Sequence, residues 1–151
     1  MFTDSSSDAI DKAMQLAWTA FLQYKKMSLQ ARAGFMRAIA VELERCGDVL
    51  IHTAMTETHL PEARLRGERA RTILQLNQYA DACEKAEWME LSIDTAVPEK
   101  SPPKPDIRKM MMPLGPVVVF GASNFPFAYS TAGGDTASAF AAGCPVIVKA
   151  H

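Results

Sequence analysis

The feature that most constrains the fold is an uninterrupted apolar run, Val117-Val118-Val119-Phe120, introduced by the turn Pro113-Leu114-Gly115-Pro116. Four apolar residues without polar alternation suit a strand covered on both faces, as in the parallel sheets of α/β folds. The residues after this run set the topology. A turn, Gly121-Ala122-Ser123-Asn124, leads to an alanine-rich stretch that reads as a helix from about Thr131 to Ala142; Gly143 stops it, and a second apolar run, Val146-Ile147-Val148, comes next. Strand, helix and strand form a βαβ unit with a right-handed crossover, and its ligand is expected beyond the strands' carboxyl ends. The phosphate fingerprint GxGxxG is absent from the unit.

The first half of the chain follows helical periodicity. Ile10, Ala13, Met14, Ala17, Phe21 and Tyr24 lie on one stripe, with Ser7 or Asp8 placed to cap it. A second helix starts after Ser28, points Phe35, Met36, Ile39, Ala40 and Leu43 inward, and ends at Gly47; Asp48 is placed to cap a short third. Pro61 suits a helix's first turn, and a long amphipathic helix then runs to about Glu87 with apolar teeth at Leu65, Ile73, Leu76, Ala80 and Cys83. Gly67 within it costs ~1 kcal/mol against alanine and marks close packing or a bend. Arg64, Arg66, Arg69 and Arg71 offer an anion site, but the interleaved Glu62 and Glu68 favour a solvated helix face.

After Trp88 the pattern changes. Glu90 to Asp94 alternates like a half-exposed strand, Pro98, Pro102, Pro103 and Pro105 exclude regular structure, and Ile107 to Met112 can form another strand. The chain thus divides into a helical part (1–87), a strand-and-loop segment (88–112) and the βαβ unit (113–151).

At 151 residues there is room for one ordinary domain and not for a two-domain enzyme. A net charge of −1 argues against a nucleic-acid partner, which requires clustered excess Lys and Arg. No apolar run approaches the ~20 residues that cross a bilayer, and the N-terminus lacks signal-peptide architecture, which points to the cytoplasm. Cys46, Cys83 and Cys144 show no CxxC pairing and no adjacent base, so packing as reduced thiols is expected of all three. His52, His59 and His151 lack metal-ligand spacing, and no metal is expected.

The segment from Gly115 to His151 resembles the aldehyde dehydrogenase superfamily, whose members have a strand leading to Pro-Trp-Asn-Phe-Pro, a helix, an Ala-Gly-Asn or Ala-Gly-Cys turn, and a strand ending in Lys-Pro-Ser. The matching residues here are Asn124-Phe125-Pro126, Ala142-Gly143-Cys144 and Val148-Lys149. Upstream, Glu57 to Glu68 resembles the family segment in which a Glu-Thr-Gly turn leads into a long helix. Ala122-Ser123 stand where many members have Pro-Trp, and Ala150-His151 where many have Pro-Ser. Both departures resemble the branch holding 2,5-dioxovalerate (α-ketoglutarate semialdehyde) and NADP-dependent fatty-aldehyde dehydrogenases.

The resemblance implies an α/β fold: N-terminal helices plus the first βαβ unit of a Rossmann-like cofactor-binding domain. It also implies oxidation of an aldehyde to a carboxylic acid, with NADP preferred and NAD possible. In that chemistry a thiolate attacks the aldehyde, and the resulting oxyanion is stabilised by an amide N–H2, an interaction worth ~3 kcal/mol. Asn124 matches that amide. On its residue type alone, it reads first as a turn former. Lys149 and His151, at the end of the second strand, would meet the cofactor; Lys149 taken alone is an ordinary strand-end lysine. Phe120, Gly121, Ala122 and Ser123 would line the nicotinamide side, or else simply pack the strand-to-loop turn.

The family's nucleophilic cysteine and general base fall beyond the residues matched here, so this chain by itself is expected to be inactive. The complete enzyme is expected to be a homo-oligomer joined through 88–112. Two competing readings are an acyl-CoA- or glutamyl-phosphate-reducing relative and a non-catalytic helical interaction module.

Overall fold

The computed structural model describes residues 3–151. Ser6 and Ser28 start the first two helices, α1 (Ser7–Tyr24) and α2 (Leu29–Arg45), each accepting a hydrogen bond from the backbone N–H three residues on. Ser28 caps where the sequence indicates; the cap of α1 is Ser6 rather than Ser7 or Asp8. Next come α3 (Gly47–Thr58), α4 (Glu62–Lys85) and a short 3-10 turn (Glu87–Met89). Asp48 lies inside the first turn of α3 and does not cap it. His59, third residue of the stretch resembling Glu-Thr-Gly, ends α3 in the left-handed conformation, φ 57°, that glycine adopts most readily.

Two strands, β1 (Ser92–Asp94) and β2 (Ile107–Lys109), pair antiparallel, Ile93 opposite Arg108. The ribbon extends through a Val97–Lys104 bridge and a hydrogen bond from Met111 N–H to Met89 C=O. Both strands are exposed throughout, because among the described residues no layer covers them. The βαβ unit consists of β3 (Val117–Phe120), α5 (Gly134–Ala142) and β4 (Val146–Lys149), with β3 and β4 parallel and Phe120 opposite Lys149. The architecture is therefore α/β.

Small residues let the helices approach closely. Ala33, Met36 and Ala40 of α2 meet Leu76, Ala80 and Cys83 of α4 and Ala137 and Ala141 of α5, all buried. A second cluster joins Ile51 and Ala54 of α3, Leu65 of α4, and Phe127 from the loop after β3. Helix α4 thus spans both clusters, and the loop is anchored in one of them.

Several sequence expectations are corrected. On α1 only Ala17 and Phe21 are buried; Ile10 and Met14 face outward because little of the chain packs over that helix. Phe35 of α2 is also exposed, although its ring packs edge-on against Tyr24 and tilted against Phe140. Nothing lies within contact range of a Cβ placed on Gly67, so that glycine answers no packing need. Helix α5 starts at Gly134 rather than Thr131, and β3 buries Val119 while leaving Val118 and Phe120 exposed, so one face of the sheet is uncovered. Cys46 is exposed at the α2–α3 junction, whereas Cys83 and Cys144 are buried.

Two glycines are imposed by close approach. A Cβ on Gly133 would lie 2.2 Å from the Ala128 carbonyl oxygen, so only glycine lets the loop fold back at the start of α5. Gly143 ends α5 at φ 88°, and a Cβ there would lie 2.6 Å from the guanidinium of Arg32. Arg32 is itself buried, donates 2.8 Å to Lys25 C=O and stacks on Tyr24.

Candidate functional site

Because β3 and β4 are parallel and adjacent, their carboxyl ends emerge side by side. Gly121 N–H donates to Lys149 C=O at 3.1 Å, extending the ladder one step past the strands. A Cβ added to Gly121 would meet Ser130 Oγ at 3.4 Å, Lys149 O at 3.5 Å and His151 Cβ at 3.7 Å. The glycine therefore leaves a small cradle between the strand ends. Phe120, Lys149 and His151 are exposed around it, and Ala122 is half-buried. Ser123 and Asn124 are exposed farther along the loop. The strand pairing brings Phe120, Gly121, Lys149 and His151 together; Ser123 and Asn124 stand on the loop beyond them.

The loop from Gly121 to Gly133 is held by its own backbone. Ala122 N–H donates to Tyr129 C=O at 2.9 Å, Phe125 N–H to Ala122 C=O at 3.3 Å, and Gly134 N–H to Ala128 C=O at 3.0 Å. Phe125 and Tyr129 stack edge to face, ring centroids 5.3 Å apart. The side-chain amide of Asn124 makes no hydrogen bond among the described residues, while the backbone carbonyl of Asn124 accepts from Arg64 Nη2. The amide is thus free to meet a ligand.

Helix α4 supplies the remaining support, which sequence reasoning missed. Glu68 is not part of a solvated face: it is buried, and its Oε1 accepts from Phe127 N–H at 2.8 Å and Ala128 N–H at 2.9 Å. Arg64 also lies over the Phe125 ring at 5.0 Å, and Arg71 reaches the Tyr129 hydroxyl at 3.4 Å. Arg64 and Arg71 are exposed and Arg66 pairs with Glu62 and Asp48, as the charge pattern implied, whereas the Arg69 side chain is largely covered and reaches Glu44 and the Gly47 carbonyl. The available signal was register, since Glu68 lies on the buried stripe of Leu65, Thr72 and Leu76.

None of the cysteines has a nucleophile's setting. Burial pushes the Cys83 thiol up from its ordinary range, and its Sγ donates to Ala141 C=O at 3.4 Å. Cys144 is buried two residues before β4, and Cys46 is exposed. A groove of about 600 Å³ runs along the open face of β3, between Met112–Leu114 and α5. It touches Phe120 but none of Gly121, Asn124 and Lys149, so it flanks the candidate site without containing it.

Strand ends, loop and supporting helix together place the exposed Asn124, Lys149 and His151 side chains at the carboxyl end of a parallel βαβ unit. The aldehyde dehydrogenase family model matches residues 1–151, and the chain belongs to that family. It is 54% identical over 143 residues to alpha-ketoglutaric semialdehyde dehydrogenase 2 of Azospirillum brasilense, covering 94% of this chain and 27% of that protein. It is 46% identical over 152 residues to alpha-ketoglutaric semialdehyde dehydrogenase of Acinetobacter baylyi, covering 100% and 29%. The chain therefore spans less than a third of the curated relatives it matches. In fold it is similar to succinic semialdehyde dehydrogenase from Streptococcus pyogenes, solved with NADP+: TM-score 0.78, 15% identity, 100% of this chain and 31% of that one. The family match runs through helices and strands alike, so a helical interaction module is not favoured.

Proposed function

We propose that the chain is the cofactor-binding opening of an NADP-preferring aldehyde dehydrogenase acting on 2,5-dioxovalerate (α-ketoglutaric semialdehyde) or a similar aldehyde. The observation that carries this reading is the pairing of Gly121 with Lys149 at the carboxyl end of a parallel β3–β4 pair, with a free amide on Asn124 in the adjoining loop. Family membership and the names of the two bacterial relatives support the substrate class. The missing side chain at Gly121 leaves a methyl-sized gap between the strand ends, which keeps the backbone there open to a bound group. When bound, the nicotinamide accepts hydride from the aldehyde-derived adduct.

In this reading Phe120, Gly121, Ala122 and Ser123 line the nicotinamide side. Lys149 and His151 face the adenosine ribose, where the Lys149 ammonium attracts a 2′-phosphate. Asn124 donates its amide N–H to the oxyanion that develops when a thiolate, supplied from outside these residues, attacks the carbonyl. We further propose the division into a helical part (1–87), an oligomerisation ribbon (88–112) and the βαβ unit (113–151). The exposed apolar side chains of the ribbon, Leu91, Ile93 and Ile107, support its role in a homo-oligomer. A cytoplasmic location agrees with three free cysteines; among the described residues no helix is long and apolar enough to cross a membrane.

The test is Asn124→Ala in the full-length enzyme. An interaction gained only after attack should affect the chemical step and spare cofactor affinity. Single-turnover NADPH formation should slow by roughly 10² to 10³, with the NADP dissociation constant unchanged. Weak NADP binding with normal chemistry at saturation would make Asn124 a cofactor-loop residue instead, and lower stability with unchanged kinetics would leave it a turn former.

A further inference from the structure

Helix α4 holds the loop after β3 at consecutive points along one face. Residues 64, 68 and 71 are spaced i, i+4, i+7, and so project from the same side of a helix. Arg64 donates to the Asn124 carbonyl and covers the Phe125 ring; Glu68 accepts from the Phe127 and Ala128 N–H groups; Arg71 meets Tyr129. The signs match the backbone, a cation on a carbonyl and a carboxyl oxygen on two amides. Glu68 is the buried member, and its Oε2 is enclosed without a protein partner, so its side-chain hydrogen bonds go wholly to the loop. Leu65, between Arg64 and Glu68 on the same stretch, packs with Phe127, which prevents the loop from sliding along the helix.

We propose that Glu68, assisted by Arg64, is a positioning residue that fixes the place of the Asn124 amide through the backbone of residues 124–128. This rests on the oxyanion role given above to Asn124. Glu68 touches neither substrate nor cofactor; it sets where the donor stands before the reaction begins. A donor aimed at a developing charge loses most of its benefit when displaced by about an ångström, at a cost of up to about a hundredfold in rate. The side chain's reach therefore matters more than its charge. Glutamine at this position would keep that reach and a carbonyl acceptor for both N–H groups, whereas aspartate is one methylene too short.

The experiment compares Glu68→Ala, Glu68→Gln and Glu68→Asp in the full-length enzyme, by steady-state kinetics and by hydrogen exchange of the Phe127 and Ala128 amides. For Glu68→Ala we expect exchange at both amides to rise at least about tenfold and kcat to fall about ten- to a hundredfold, with the NADP dissociation constant within about threefold of wild type. Glu68→Gln should stay within a few-fold of wild type on both readouts, and Glu68→Asp should fall well below Glu68→Gln. Aspartate outperforming glutamine would show that charge, not reach, is what counts, and would overturn the proposal. So would unchanged exchange, or a lowered thermal midpoint with wild-type kcat at a temperature where the variant is folded. If Glu68→Ala does not fold, the glutamine–aspartate order still decides. If the wild-type enzyme oxidises no aldehyde, the function proposed above has failed, and amide exchange then judges the clamp by itself.

Discussion

The α2–α4 layer and the carboxyl end of the β3–β4 sheet are built on opposite plans. In the helical layer Met36, Leu76, Ala80 and Cys83 are wholly buried, and neighbouring backbones meet across alanines. At the strand end Phe120 is 71% exposed and Val118 44%, and the loop beyond buries only Phe127 and Ala128 among residues 121–130. Burial gives the helices their order directly, at roughly 2 kcal/mol for each large side chain taken out of water. The loop has almost no core of its own. Its order comes from its own backbone turns and from α4, through a carboxyl oxygen on two amides and an apolar anchor at Phe127. Groups meant to meet ligands must stay accessible, so the region proposed to bind the cofactor is stabilised by contacts from beneath rather than by its own burial.

The contrast is broken most forcefully inside the helical layer. Leu76→Ala should cost roughly 2–5 kcal/mol, because the site is closed on every side and cannot collapse around the lost methyl groups. Leu74, two residues away and 56% exposed, is the internal control, and Leu74→Ala should change stability by no more than about 0.5 kcal/mol. Urea midpoints of the two variants give the comparison; similar losses would mean that the layer is not closed as described.

The strand end should respond in the opposite manner. Lys149→Ala should leave the urea midpoint nearly unchanged and raise the KM for NADP roughly ten- to a hundredfold, the value of a lost charge-assisted hydrogen bond, with little change for NAD. Equal effects on both cofactors would remove Lys149 from the 2′-phosphate. A stability loss approaching that of Leu76→Ala would erase the distinction between the two regions.

The smallest effect is expected at the rim of the helical layer, where Arg37 of α2 reaches Glu84 and Asp81 of α4 at 2.7 Å. Hydrogen bonds from the Arg37 guanidinium hold the Glu84 carboxyl below the usual carboxylate range. A folded-state value below the unfolded one, about 4.3, means that the pair stabilises above that pH and loses its contribution as pH falls through the folded value. The difference in thermal midpoint between wild type and Glu84→Gln should accordingly be greatest near neutrality, shrink on acidification, and diminish with added salt. A difference that grows on acidification would contradict the direction assigned to Glu84.

The helices and the βαβ unit were legible in the sequence because each announces itself locally. Ser28 caps α2, Gly143 stops α5, and the apolar runs 117–120 and 146–148 mark the paired strands. The resemblance at Asn124-Phe125-Pro126 pointed to the same loop. Glu68 was misread because charge pattern and register conflicted: among arginines it looked solvated, yet it occupies the buried stripe with Leu65 and Thr72. Only the tertiary fold brings two unpaired loop amides 59 and 60 residues away to its carboxyl group. The coverage of β3 was likewise overestimated, since an apolar run reports what a strand can tolerate and not which layers lie within the same chain.

Gly143 and Arg32 belong to different helical neighbourhoods, yet the guanidinium occupies the space a side chain at 143 would need. That gives the pair a history that must be travelled in order. An alanine arriving first at 143 meets both the left-handed backbone, costing about 1–2 kcal/mol, and the buried arginine. Were Arg32 to become a smaller residue first, only the backbone cost would remain, but Lys25 C=O and the face of Tyr24 would lose their partner. Each single step is unfavourable for a different reason. Among descendants of this sequence, glycine at 143 should therefore persist wherever arginine persists at 32, and the exceptions should be those in which both have changed.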